Sequence, residues 1–263
     1  MRAGTPRRRT VSPGDRTVFT AARVAGGMCG RYSLFTPAEE LEARFGAEFE
    51  APPEPRYNCA PGQELPVVTD DDPDAFRSLT WGLVPSWADD RSVGNNLINA
   101  RAETVREKPS FREAFERRRC LVPADGFYEW VQAEGGKRPY RVAFEDDRPF
   151  AMAGLWERWK PTQTQTGLGD FAEGSAGADA EAEVLETFTV VTAEPNDLVS
   201  ELHDRMSVIL APEEEETWLR GDAEEAASLL DTFPDAEMRA YPVSTRVNSP
   251  ANDDADIVEP VDV

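Results

Sequence analysis

Lysine is almost missing from this 263-residue chain, which carries only Lys108, Lys137 and Lys160 among its 28 basic residues. Histidine occurs once, at His203, and cysteine three times, at Cys29, Cys59 and Cys120, with no Cys-x-x-Cys pair. So sparse and odd a cysteine set argues against a disulfide framework and a four-ligand zinc finger. It fits a reducing compartment such as the cytoplasm. From Cys29 to Cys59, Cys120 and His203 the successive spacings are 30, 61 and 83 residues. Without local pairing, no metal site is expected, and no cofactor. No apolar run approaches the roughly 20 residues of a membrane-spanning helix, which excludes an integral helical membrane protein.

What the chain has in excess is negative charge: 50 acidic residues against 28 basic, a net of −22. Arginine in place of lysine on a carboxylate-dense surface fits adaptation to high salt, where such surfaces keep a chain soluble. A net charge of this sign repels nucleic acid at low salt, so any DNA binding must rest on a local patch. The charge is also unevenly placed. Residues 1–27 hold six arginines and one acid, a net of +5, which leaves −27 on the remainder. This stretch lacks the apolar core of a secretory signal and reads as a non-native or removable basic extension, with Met28 as the natural start. Residues 28–260 then read as one domain. It is interrupted at about 161–183 by a low-complexity surface excursion rich in Thr, Gly, Ala and Glu. Residues 250–263 read as an acidic tail that packs only in part.

Three helix starts are predicted. Thr36-Pro-Ala-Glu39 reads as a capping box closed by Gly46, Ser110-x-x-Glu113 opens a helix to about Arg118, and Asp222-x-x-Glu225 opens another. Arg117-Arg118-Arg119 reads as a solvated helix end. Strand-like runs cover Leu65–Thr69, Ser78–Pro85, Leu121–Val122, Tyr140–Phe144, Phe150–Trp156, Thr187–Thr192 and Met206–Leu210. Strands in series with few helices between them predict an α+β fold with a mostly antiparallel, barrel-like β core and flanking helices. The β-α-β alternation of a Rossmann-type fold is absent.

Four residues stand out chemically. His203 precedes a strand-like run and is followed at once by Asp204 and Arg205, a setting suited to proton transfer near neutral pH. Its plain alternative is a satisfied core or surface imidazole. Cys120 opens an apolar run and reads as a small hydrophobe, as Cys59 also can. Cys29 differs because it directly follows Met28.

Four segments occur in order: Met28-Cys-Gly-Arg-Tyr-Ser33, Asn99-Ala-Arg-Ala-Glu-Thr104, Cys120-Leu-Val-Pro-Ala-Asp-Gly-Phe-Tyr-Glu-Trp130 and His203-Asp-Arg-Met206. With Trp81-Gly-Leu83 and Val247-Asn-Ser249 they resemble the SOS response-associated peptidase family of abasic-site-processing proteins. The resemblance spans about residues 28–260. It implies that Cys29 becomes the first residue and forms a covalent adduct with the ring-opened aldehyde of an abasic site in single-stranded DNA. A free α-amine, with a reference pKa of about 7.7–8.0, is partly neutral at pH 7, unlike a lysine near about 10.4. It can condense with the aldehyde, and the neighbouring thiol can then close a thiazolidine.

By position, the resemblance assigns Asn99 to orienting the cysteine and the opened sugar. Glu129 matches a proton-moving glutamate, and His203 a histidine assisting ring opening and adduct release. DNA contacts are expected from Arg31, Arg101 and Arg205 through phosphates, and from Trp81 and Trp130 by stacking. The resemblance further implies self-processing peptidase activity, lyase chemistry, a part in DNA damage repair and a monomer acting without a membrane. Two rivals remain: a Cys-His thiol protease using Cys29 and His203 on other proteins, and a non-catalytic single-stranded DNA-binding module.

Overall fold

Apolar runs separated by turn residues build two sheets around a shared core in the computed structural model, which describes residues 30–161 and 184–262. Cys29, the basic extension and all but the first residue of the low-complexity stretch lie outside the described residues. The strands are β1 (Tyr32–Leu34), β2 (Arg56–Cys59), β3 (Glu64–Thr69), β4 (Asp72–Trp81), β5 (Asn99–Arg101), β6 (Arg119–Ala124) and β7 (Gly126–Ala133). They continue with β8 (Gly136–Phe144), β9 (Phe150–Trp159), β10 (Leu185–Ala193), β11 (Met206–Ser207), β12 (Ile209–Leu210) and β13 (Met238–Pro242). The helices are α1 (Ala38–Phe45), α2 (Arg112–Arg117), α3 (Asp197–Ser200), α4 (Glu215–Arg220) and α5 (Ala223–Ser228).

Five strands close into a barrel. β3 pairs antiparallel with β4 and β6, and β9 with β6 and β10. β10 then returns parallel to β4 through Thr187↔Thr80 and Phe188↔Trp81, so no edge of the ring is left open. Strand β6 is buried at every position, as an apolar run at the centre of a barrel wall should be. The wall is tight at Gly154, where an added Cβ would stand 2.7 Å from both Cys120 Sγ and Val122 Cγ2. Around this ring the class is the expected α+β with a mostly antiparallel core. The parallel pairing of β10 with β4 and β5 is the exception.

The second sheet is antiparallel, in the order β13-β8-β7-β1-β2. The chain passes from barrel to sheet at Asp125, whose buried carboxylate accepts bonds from Ser33 Oγ at 2.6 Å, Phe35 N at 2.6 Å and Thr36 N at 3.0 Å. Arg141, also buried, donates to the Asp125 carbonyl at 2.7 Å and to Tyr241 Oη at 2.8 Å. One buried ion pair thus ties β1, β7, β8 and β13 together.

Several sequence expectations change here. Thr36 caps no helix; its N–H and hydroxyl go to Asp125, and α1 starts at Ala38 behind Pro37 before ending at Gly46 with φ 66°. Helix α2 starts at Arg112, with no side-chain cap. The Asp222–Glu225 capping box does form, each carboxylate accepting from the other residue's backbone N–H. The run at 78–85 leaves the ladder after Trp81, and the run at 206–210 splits, β11 pairing with β10 and β12 with β9. Arg119 is no solvated helix end. It is 4% exposed and donates to the carbonyls of Phe115, Trp218 and Gly221. The acidic tail packs far more fully than its composition suggested: Asp253 binds the backbone N–H groups of Tyr57 and Asn58, and Ile257 is fully buried.

Candidate active site

The C-terminal end of β10 gathers half of the candidate residues. Strand β5 continues the line of β4 along one side of β10, with Asn99 opposite Val190 and Arg101 opposite Thr192. Between β4 and β5 the chain makes an excursion that closes on itself at Gly82 and Gly94. Gly82 has φ +128°, and a Cβ there would stand 2.8 Å from the Gly94 carbonyl oxygen, so both limbs need glycine. Trp81 Nε1 pins the return by donating to Ile98 O at 2.9 Å. On the other side of β10, β11 pairs Ser207 with Thr192 and Met206 with Ala193.

His203 sits in the turn between α3 and β11, its backbone N–H bound to Val199 O at 2.8 Å. The ring is 5% exposed. Nδ1 accepts from the Arg205 backbone N–H at 3.1 Å, so the neutral ring carries its proton on Nε2. Nε2 is buried and has no partner among the described residues. Asp204 Oδ1 lies 3.2 Å from Nδ1 and accepts a hydrogen bond there when that nitrogen carries a proton. Arg205 forks onto Glu103 at 2.6 and 3.0 Å and donates to Thr192 O at 2.5 Å. This bond holds the Glu103 carboxyl below the usual carboxylate range. Arg101 is exposed beside this pair.

The second sheet brings the other half. Tyr32 pairs with Phe127, and Tyr128 N donates to Arg31 O at 3.0 Å, a register that runs Gly30 toward Glu129. Strand alternation puts Glu129 on the same face as Phe127. Phe127, Arg31, Tyr32, Trp81, Val190 and Ser207 line a narrow crevice between the sheets, closed below by Met152. Asn99 shares the face of Val190. The crevice is therefore lined by Phe127 from the strand of Glu129 and by Val190 beside Asn99; Asn99 and Glu129 are 5% and 1% exposed. Cys29 is peptide-bonded to Gly30 and lies just outside the described residues.

The expected DNA contacts fare unevenly. Trp81 is 2% exposed, packed against Tyr32 and Phe188, and offers no face to a base; its apolar bulk belongs to the core. Arg31 Nη1 is committed to Asn58 Oδ1 and Val247 O, both at 2.7 Å, and burial lowers its pKa. Trp130 is half-buried, its indole N–H on Asn248 Oδ1 at 2.7 Å. Trp87 was missed from the sequence. It is 60% exposed on the excursion between β4 and β5, and its signal was a second Trp six residues after Trp81. Among the described residues, no group of three or more His, Cys, Asp and Glu side chains is arranged to hold a metal ion, and no helix is long and apolar enough to cross a membrane.

The family model described as SOS response associated peptidase (SRAP) matches residues 28–250. The chain belongs to this family. Among SRAP relatives, the abasic site processing protein YoqW of Bacillus subtilis is 38% identical over 240 residues, covering 88% of this chain and 99% of its own. The abasic site processing protein HMCES of Pongo abelii is 30% identical over 279 residues, covering 90% of this chain and 77% of its own. A crystal structure of a Bacteroides thetaiotaomicron protein superposes with a TM-score of 0.75 at 30% identity, covering 89% of this chain and all of that one. The SRAP match includes Asn99, Glu129 and His203 together with Cys29.

Proposed function

We propose that this chain processes abasic sites by joining Cys29, as the first residue of the working domain 28–260, to the opened sugar in single-stranded DNA. The observation that carries the reading is the burial of Asn99, Glu129 and His203 on strands and a turn flanking the start of β1. Burying a carboxylate and an imidazole carries a desolvation cost, which polar groups set aside for chemistry repay. The names of the relatives, abasic site processing proteins, supply the substrate.

The chemistry balances without a cofactor. Ring opening breaks the bond from C1′ to the ring oxygen: the C1′ hydroxyl gives up its proton as C1′ becomes an aldehyde and the ring oxygen takes one, a transfer relayed by the His203 imidazole. The neutral α-amine of Cys29 adds to C1′, and water leaves the carbinolamine with protons moved by Glu129. The thiol then adds to the imine carbon while its proton passes to nitrogen, closing a five-membered thiazolidine. Asn99 holds the cysteine and the opened sugar in register. Arg101 and Trp130 flank this position and serve phosphates and bases, while Arg205, committed to Glu103 and Thr192 O, holds the turn that carries His203. Where the basic leader is translated, the Cys29 thiol attacks the preceding carbonyl, the acyl group passes from nitrogen to sulfur and frees the α-amine, and water hydrolyses the resulting thioester to release the leader as a carboxylate and restore the thiol, the self-processing peptidase step.

Three proteins test this on denaturing gels with one abasic single-stranded oligonucleotide: the chain starting at Cys29, the same chain behind an uncleavable leader, and Cys29→Ala. Only the first should give a heat-stable adduct. A stable adduct from the leader-bearing protein, with its intact mass confirmed, refutes the mechanism. Cleavage of a generic protein substrate by that same leader-bearing form supports the thiol protease instead.

A further inference from the structure

We infer that the segment 247–253 is a clamp that holds the start of β1 in register beside the strand of Glu129, with Arg31, two residues after Cys29, as the residue it grips. Its effect on rate rests on the proposed function; its effect on structure does not.

The clamp is a set of bonds from one late segment to both sides of the crevice. Val247 O accepts from Arg31 Nη1 at 2.7 Å and from Asn58 Nδ2 at 3.3 Å. Asn58 is fully buried and uses its whole carboxamide: Oδ1 takes Arg31 at 2.7 Å, and Nδ2 reaches Ser249 O at 3.0 Å and Asn252 O at 2.6 Å. Asp253 fixes the strand that carries Asn58, accepting from Tyr57 N at 2.5 Å, Asn58 N at 2.9 Å and Arg56 Nε at 2.6 Å. On the other side, Asn248 Oδ1 takes the Trp130 indole N–H at 2.7 Å, one residue from Glu129. A single turn of chain therefore holds the residue two before which Cys29 stands and the residue next to the carboxylate.

Two extended residues reach at most about 7 Å, so fixing Arg31 by side chain and main chain leaves Cys29 a short tether. Misplacing a reacting group by about 1 Å can cost about 10²-fold in rate. Both donors of Arg31 Nη1 meet protein oxygens, so that arm of the guanidinium is spent on positioning.

The test uses the full domain starting at Cys29. Single-turnover crosslinking gives the maximal rate and the half-saturating oligonucleotide concentration for Arg31→Lys, Asn58→Ala, Asn248→Ala and Asn248→Asp. Hydrogen exchange follows the amides of residues 30–34 and of the barrel strands. Arg31→Lys keeps the charge but not the planar fork. It and the two Ala variants should lose about 10- to 100-fold in maximal rate with little change in half-saturation. Asn248→Asp keeps the acceptor and should restore most of the rate. In Asn58→Ala the amides at 30–34 should exchange faster while those of β6 and β9 do not. An unchanged maximal rate in Arg31→Lys, or a fall in the salt slope of DNA binding by about one phosphate in Arg31→Ala, overturns the inference. Unchanged exchange at 30–34 overturns it as well. If the wild type forms no adduct, the functional proposal fails, and the exchange measurement still decides the clamp.

Discussion

Asp125→Ala should be the most damaging single change in the polar interior, and the structure gives its size. The carboxylate is fully buried, and its loss strips acceptors from Ser33 Oγ, Phe35 N and Thr36 N at one stroke. It also leaves Arg141, 1% exposed, with less to answer its buried charge. Removing one partner of a buried pair costs about 3–5 kcal/mol. Against a total stability of about 5–15 kcal/mol, that is a large share. In a domain of this size it lowers Tm by about 6–20 °C. Urea melts of Asp125→Ala, Arg141→Met and the double variant supply the measurement. The double variant should cost less than the sum of the singles by about 1 kcal/mol or more, because it buries no orphaned charge. A single-variant cost below about 1 kcal/mol, or strict additivity, would refute the reasoning. It would mean that Arg141 is satisfied by Tyr241, Asp147 and carbonyl groups alone.

Glu129→Gln should slow adduct formation by about 10²–10⁴-fold while noncovalent DNA binding holds, since an amide of the same size cannot shuttle a proton; equal losses in rate and binding would make Glu129 structural. His203→Ala should still crosslink but form and release the adduct at altered rates, and a pulse-chase against competing DNA at wild-type rates would remove its proposed role. Gly154→Ala should destabilise by about 1–3 kcal/mol in a thermal melt, because its Cβ meets Cys120 Sγ and Val122 Cγ2 at 2.7 Å across the barrel wall; a neutral result would show that β6 and β9 can part freely. Covalent trapping should survive salt that weakens phosphate contacts about 10³-fold, since the adduct does not dissociate with its counterions; loss of folding and trapping above ordinary ionic strength would end the high-salt reading of the acidic surface.

The barrel was legible because its strands are long and apolar. Phe150–Trp156 and Thr187–Thr192 announce β9 and β10 by composition alone. The strands that went unread are β1, β2, β5, β7 and β13, and they are short or carry polar residues such as Asn58, Asn99 and Glu129 in buried positions. Polar residues break the apolar pattern on which sequence reading depends, and in this molecule they border the crevice. Thr36 misled for a related reason. Local capping chemistry lost to a distant carboxylate, Asp125, 89 residues away. Arg119 was misjudged because one carbonyl from the preceding helix α2 and two from the end of α4 gather around it, which no local pattern reveals. The candidate residues could be named through ordered motifs. That Arg31 is gripped from the far end of the chain, and that Trp81 belongs to the core, needed coordinates.

The bond from Arg31 to Val247 joins residues 216 positions apart. On a ribosome elongating at about 5–20 residues per second, the second partner is made about 10–40 s after the first. Until then the start of β1 has its sheet neighbours β2 and β7 and the Asn58 carboxamide, but not the Val247 carbonyl that completes the hold on its arginine. The start of β1 is thus among the first parts synthesised and the last to receive its full set of partners. Arg31 is held on both sides only once translation is nearly over, so the register of β1 with Glu129 is completed by the chain's final segment.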